Sequence, residues 1–210
     1  MESVTPDKLK AILDLHLRWL NKEPDGEQAD LHDANLFRVD LRKANLAGAN
    51  LKGATLAIAD LTVANLTGAD LEGIDLADAT LEGTFLDNAI LRHANLAKST
   101  LRYASIKRAD LTGADLKNAF ILSSDFSDAD LTDADLSRAR IHKANFSGAI
   151  LERADLAGAV VFMVNFSDAN FQDASIKGVS FNNSVFSGTN LEGTSLQRTE
   201  LINNESKKVN

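Results

Sequence analysis

A five-residue repeat constrains this chain more than any other feature of its sequence. Aligned on positions ending in 1 or 6, the repeats give 35 centres from Leu31 to Leu201, and each centre is Leu, Ile, Val or Phe. Two residues before the centre, 24 of the 35 residues are Ala. The register does not slip between Ala29 and Leu201, so no inserted loop or linker interrupts it. Periodicity of this kind predicts a repeat architecture in which each unit packs on its neighbours.

The period of five fits neither a helix nor a long strand, whose side chains repeat every 3.6 and 2.0 residues. It requires a chain that turns after every unit and places one large and one small apolar side chain inward. A longer period gives the size of one circuit, because Phe126, Phe146, Phe166 and Phe186 are separated by 20 residues each. Four units per coil predict a four-sided all-β solenoid, with about nine coils stacked at ~4.8 Å.

The repeats have the pattern A(D/N)LXX, as in the Ala-Asn-Leu triplet at 44–46 and the Ala-Asp-Leu triplets at 109–111 and 154–156. The pattern resembles that of the pentapeptide-repeat family, and it continues through all 35 units. This resemblance implies a right-handed quadrilateral β-helix over residues 29–203. The four sides follow from the 20-residue period, whereas the handedness is implied only by the family.

The two ends of the chain depart from the repeat. Thr5, Pro6 and Asp7 have the residue types of a helix N-cap and first turn, and apolar residues then follow at helical spacing. Residues 1–28 are therefore predicted to form a capping helix and a linker that cover the exposed edge of the first coil. A helix that binds a partner is the alternative. Residues 204–210 are predicted to be a flexible tail, which leaves the last coil covered by that tail or by a second subunit.

The sequence contains no recognisable catalytic or cofactor-binding motif. It has no Cys, and the glycine-rich segment at 48–55 has Ala54 where a phosphate-binding loop needs Lys. An acidic segment at 125–135 holds five Asp residues, but successive units occupy successive sides, so these carboxylates should diverge instead of surrounding one metal ion. A regular rod also lacks the concave site that an enzyme needs. We expect neither catalysis nor a metal or other cofactor.

Charge and hydropathy limit the classes of molecule that this protein can bind. The formal net charge of −8 argues against nucleic-acid binding through a basic surface. The first residues show no apolar signal segment, and no run of 18 apolar residues could cross a membrane. The sequence therefore predicts a cytoplasmic protein that binds neither nucleic acid nor membrane directly.

Two functions remain. The first is a non-catalytic scaffold whose flat outer faces bind a protein partner, which the sequence does not name. The second comes from the resemblance, because some pentapeptide-repeat proteins mimic DNA, bind DNA gyrase and protect it. Between residues 29 and 203 there are 23 acids and 16 bases, and the bases interrupt the acidic rows.

One side of the solenoid departs from the template and is the candidate partner-binding face. Its centres are Leu101, Ile121, Ile141 and Val161, and large residues replace the usual Asp or Asn beside them. A cluster of exposed apolar residues with charge nearby is typical of an interaction site. A second copy of the chain and a foreign protein are both open as partners, and degeneration of the repeat on a tolerant surface is the alternative. The candidate residues are Tyr103, Phe120, Leu122, Arg140, His142, Val160, Phe162 and Met163.

Overall fold

A computed structural model of the protein describes residues 4–205 and shows a helix followed by an all-β solenoid. The helix, α1, spans Pro6–Leu20. Six short strands lie on one side of the solenoid, and the other sides pair through single residues. The strands are β1 (Thr100–Arg102), β2 (Phe120–Leu122), β3 (Arg140–His142), β4 (Val160–Phe162), β5 (Ser180–Asn182) and β6 (Glu200–Ile202).

Coils stack through parallel pairing between each residue and the residue 20 positions later. The pairs run from Asp30 with Asn50 to Val185 with Glu205, and they fall on four ladders. Backbone bonds join neighbouring coils at the same register; for example, the N–H of Leu31 donates to the C=O of Asn50 at 2.8 Å. The solenoid predicted from the 20-residue period is therefore confirmed.

The interior consists of the repeat centres and the small residues two positions before them, most of which are fully buried. The predicted phenylalanine ladder is present. Phe146 lies between Phe126 and Phe166, with ring centroids 4.7 and 5.5 Å away, and Phe186 continues the stack 5.3 Å beyond Phe166. Rings on successive coils pack on each other because the register places identical side chains in line.

Each corner uses a residue with positive φ two positions after the centre. From position 33 to position 203 all these residues have φ between 52° and 74°, whether or not they are glycine. A hydrogen bond closes most corners, as between the N–H of Ala34 and the C=O of Leu31 at 3.1 Å. Glycine is therefore favoured at this position for its low cost in the left-handed region, but the corner does not require it.

The helix α1 is anchored on the first coil. The Thr5 hydroxyl caps it by accepting the N–H of Lys8 at 3.3 Å, and Asn21 ends it. Leu9 joins the buried core, and the fully buried His16 accepts the backbone N–H of Ala29 at its Nδ1, 2.9 Å away. Burial lowers the pKa of His16, which keeps Nδ1 free to accept that bond.

At the other end, the last described residues still belong to the ladders. The side chain of Asn204 accepts the N–H of Ser184 at 2.7 Å, and Glu205 pairs with Val185. Residues 206–210 of the predicted flexible tail lie outside the described residues. Within residues 4–205, no helix has the length and apolar character needed to span a bilayer.

Candidate partner-binding face

The six strands form one parallel sheet in the order β1 to β6, and this sheet carries the candidate face. Its register places the outward side chains in two rows on either side of the buried centres. The first row contains Thr100, Phe120, Arg140, Val160, Ser180 and Glu200, and the second contains Arg102, Leu122, His142, Phe162, Asn182 and Ile202.

On the same side before β1, the chain follows the repeat template. Asp40 lies just before its centre, and its Oδ1 accepts the backbone N–H of Arg42 at 3.1 Å. The corner after it is closed by the N–H of Ala44, which donates to the C=O of Leu41 at 3.0 Å. This hydrogen bond from the backbone to the Asp side chain stabilises the turn locally, and it requires a side chain that can accept.

From β2 to β4 that hydrogen bond is absent, because Phe120, Arg140 and Val160 have no side-chain acceptor. The corners after these strands also lack the closing backbone bond within the described part of the chain. After β4 a polar side chain from the next coil takes its place, because the N–H of Val164 donates to the Ser184 hydroxyl at 3.2 Å. The backbone is extended here, and the side becomes a continuous sheet.

The structure brings the predicted apolar residues together on one side; four of them are exposed, and the other two, one of which is Leu122, are half-buried. Val160 and Tyr103 are 56% and 55% exposed, and Met163 and Phe162 are also exposed, while Phe120 is half-buried. The edge of the His142 ring packs on the Phe162 ring, with centroids 5.0 Å apart. A shallow groove runs between the apolar pairs and is lined by Phe120, Arg140, Ile141, His142, Val160 and Phe162.

The electrostatic character of this side is what the sequence reasoning missed. We define the basic face as residues 98–103, 118–123, 138–143 and 158–163. It contains five Lys or Arg residues and His142, and it contains no Asp or Glu. No carboxylate among residues 4–205 lies within 4.0 Å of any of these five cations, which are Lys98, Arg102, Arg138, Arg140 and Lys143. Counting charges in the 20-residue register would have found the face.

One of these cations, Arg102, contacts an aromatic ring. Its guanidinium lies over the Tyr103 ring, 5.7 Å from the centroid. The Nε of Arg102 and the Nε2 of His142 are buried without a hydrogen-bond partner in the described residues. The face therefore presents cations that no acid neutralises, and an aromatic ring supports one of them.

The opposite side of the same coils has the reverse character. We define the acidic face as residues 108–113, 128–133, 148–153 and 168–173, which hold seven acids and two bases. Arg153 there is fully engaged: its guanidinium nitrogens lie 2.7 and 2.8 Å from the carboxylate of Asp133 and 3.4 Å from Glu152. The hydrogen bond from Arg153 lowers the pKa of Asp133.

One acidic row bears on the DNA-mimic alternative. Asp75, Asp115, Asp135 and Asp155 lie on one ladder, in the 20-residue register. Lys117 interrupts this row, with its ammonium 4.0 Å from Asp135.

The Asp residues of the 125–135 segment are distributed around the solenoid. Asp125, Asp130 and Asp135 lie on three different ladders, in agreement with the divergence expected from the repeat. Over residues 4–205, no group of three or more His, Asp and Glu side chains is placed to bind an ion.

A second depression, near the N-terminal end, is lined by residues that include Asp30, His32, Lys52, Glu72 and His93. Most of its charged groups are paired, as Asp30 is with His32 at 2.8 Å. The carboxylate of Glu72 lies 3.1 Å from Lys52 and 3.1 Å from Arg92. The basic face, where the cations are unpaired, is therefore the stronger candidate.

These features define a repeat solenoid with one specialised side. The chain belongs to the pentapeptide-repeat family, whose model, described as pentapeptide repeats, matches it in eight copies. The matched residues are 29–68, 44–83, 59–92, 86–118, 123–160 and 165–201. The resemblance drawn from the A(D/N)LXX pattern is thereby confirmed.

Solved structures place the chain among the same proteins. HetL, a pentapeptide repeat protein involved in heterocyst differentiation regulation in the cyanobacterium Nostoc sp. strain PCC 7120, is 30% identical, with 83% of this chain and 81% of HetL covered and a TM-score of 0.45. Trypsin-treated QnrB1, a plasmid-mediated fluoroquinolone resistance protein, is 16% identical over 83% of this chain and 85% of its own, with a TM-score of 0.66, and so shares the fold. A pentapeptide repeat protein from the thylakoid lumen of Arabidopsis thaliana is 29% identical over 58% and 70% of the two chains, with a TM-score of 0.26. Comparison with curated proteins gives no match.

Proposed function

We propose that this protein is a non-catalytic scaffold, acting in the cytoplasm, that binds a protein partner through the basic face. The observation that carries the proposal is the contrast between that face and the acidic face. Half-buried apolar side chains on β2 and exposed ones on β4 flank Arg140, and no acid neutralises the cations of the basic face. On the acidic face seven acids outnumber two bases, and Arg153 is paired with Asp133. Apolar anchors beside Arg have the composition of binding hot spots. The proposal includes a right-handed β-helix of about nine coils at ~4.8 Å per coil. The 20-residue register supports the number of coils, and membership of the family supports the handedness.

The test is a double substitution in the middle of the face. Leu122→Glu with Phe162→Glu changes two outward side chains and should leave the circular dichroism melt nearly unchanged. The matched control is Phe85→Glu with Ile150→Glu, because both residues are exposed and lie on other ladders. We expect proteins captured from the host lysate by the wild type to be retained by the control and lost from the face variant.

Light scattering on the same variants separates the two kinds of partner. A dimer that the face substitutions convert to a monomer would make the partner a second copy, while a dimer that survives them would point to the C-terminal coil. The proposal fails if stability, oligomeric state and every captured protein all survive the face substitutions.

Binding of DNA gyrase as a DNA mimic is the second candidate. The observation in its favour is the acidic face, which carries seven acids against two bases, together with the aligned row of Asp residues beside it. The test is a gyrase supercoiling assay with and without the protein, with and without a quinolone. Neither inhibition nor protection at tens of micromolar would remove this candidate.

A further inference from the structure

We infer that the partner segment recognised by the basic face is an acidic amphipathic helix, an inference that rests on the proposed scaffold function. Two apolar side chains seven residues apart would contact β2 and β4, and a carboxylate between them would meet Arg140 on β3. Along the solenoid axis the face presents an apolar, then a cationic, then an apolar side chain. In the strand register Arg140 lies between Phe120 on β2 and Val160 on β4.

The spacing of the face selects a helix lying along the solenoid axis. Strands two coils apart are separated by ~9.6 Å, since neighbouring parallel strands lie ~4.8 Å apart. Residues i and i+7 of a helix are ~10.5 Å apart, and residues i+3 and i+4 fall about midway. A strand laid along the same line would repeat its outward side chains every ~6.7 Å and could not meet β2, β3 and β4 in turn.

The charge of the face selects acidic residues on that helix. Covering Arg140 with an apolar surface would remove its guanidinium from water without compensation, which is costly unless a carboxylate replaces the water. Four further cations surround it, and no acid within the face competes for them. Because the whole protein carries a net charge of −8, an acidic partner is repelled elsewhere and oriented toward this side.

A single-stranded nucleic acid would also supply negative charge, but the side chains of the groove favour a protein. Nucleic-acid sites place aromatic rings where successive bases stack. Here the His142 and Phe162 rings pack on each other, and Val160 forms one wall of the groove. The half-buried Leu122 and the exposed Met163 offer packing surface without a ring face.

The test uses displayed helical peptides with Leu fixed at positions i and i+7 and with Glu, Gln or Lys varied at i+3 and i+4. Selection is carried out on the immobilised full-length protein, and binding of the selected peptides is measured by fluorescence anisotropy. We expect Glu peptides to bind the wild type about tenfold or more tightly than their Gln equivalents, in line with close charge pairs at other interfaces. Arg140→Glu should reverse the preference and favour Lys peptides.

The matched control is Arg153→Glu, which changes the net charge equally on the opposite side and should leave the Glu preference intact. Circular dichroism melts confirm that both variants fold. The inference is overturned if no peptide is selected, if Gln and Glu peptides bind equally, or if Arg140→Glu leaves the preference unchanged. It is also overturned if oligothymidylate binds the face in place of the peptides.

These outcomes are distinguishable from failure of the proposed function. A lysate protein that is lost from the Leu122→Glu and Phe162→Glu variant shows that the face binds a partner, whatever the peptides do. The peptide selection then decides only whether that partner presents an acidic helix.

Discussion

The basic and acidic faces share the same coils and the same interior, yet they use charge in opposite ways. On the acidic face, two of the seven carboxylates accept backbone N–H groups: Asp110 accepts the N–H of Thr112 at 3.1 Å, and Asp130 accepts that of Thr132 at 2.9 Å. Arg153 is neutralised by its neighbours. On the basic face the acids are gone and the cations stand unpaired. Part of the negative charge of the chain therefore serves to stabilise turns. The face that lacks these carboxylates is the better indication of function.

The largest effect should come from the interior that both faces share. Phe146→Ala removes a fully buried ring between Phe126 and Phe166 and should lower the free energy of unfolding by ~3–5 kcal/mol through lost burial and a cavity. The adjacent Ser147→Ala keeps the backbone bonds of that residue and should cost less than ~0.5 kcal/mol. Urea melts of the two variants give the comparison, and equal losses would contradict the inward position of Phe146.

A charge swap tests whether the two faces differ in pairing. Arg153→Glu and Arg140→Glu change the net charge by the same amount, but only Arg153 has acidic neighbours within ion-pair distance. We expect Arg153→Glu to lower Tm, because Asp133 and Glu152 then face a third carboxylate. Arg140→Glu should stay within about 0.5 kcal/mol of the wild type or stabilise it, since its neighbours are bases. Equal shifts in a thermal melt would mean that the pairing contrast has no energetic consequence.

Acid should weaken the acidic face and not the basic face, which contains no Asp or Glu. The folded-state pKa of Asp133 is lowered by the hydrogen bond from Arg153, so its contribution to stability is present above the unfolded value of about 3.9 and is lost as the pH falls through the folded value. The urea midpoint of the wild type should fall below about pH 4, and Asp133→Asn should flatten that part of the profile. An unchanged profile in the variant would show that this pair does not contribute to acid sensitivity.

The smallest effect is expected where the ladder of the acidic face begins. Asp30 lies on that ladder, and its Oδ1 is 2.8 Å from the Nδ1 of His32, an ion pair that raises the pKa of His32. The stabilisation is complete below the unfolded value of about 6.5 and is lost as the pH rises through the folded value. An NMR titration should find the His32 pKa above 6.5 in the wild type and lower in Asp30→Asn. A His32 pKa that does not respond to the substitution would contradict the pairing.

Much of the fold can be predicted from the sequence by itself, because the repeat restricts which residues can be neighbours. The inward position of Phe146, the helix that begins after Thr5, and the gathering of Phe120, Val160 and Phe162 on one side can all be predicted from spacing. Even the ion pair between Arg153 and Asp133 joins residues 20 positions apart, so the register anticipates it. A periodic interior fixes which residues are neighbours before any side chain is placed.

Only the tertiary structure decided where the backbone becomes a sheet. Phe85 lacks a side-chain acceptor just as Phe120 does, yet the corner after Phe85 is closed by the N–H of Ala89 donating to Leu86 at 3.0 Å. The loss of the side-chain acceptor is therefore not sufficient to open the corner. Each coil bonds to the coils above and below through its backbone, so a run of neighbours must share one conformation, as β1 to β6 do. The position of the sheet is therefore set by the stacked coils together, and it cannot be predicted from any single five-residue unit.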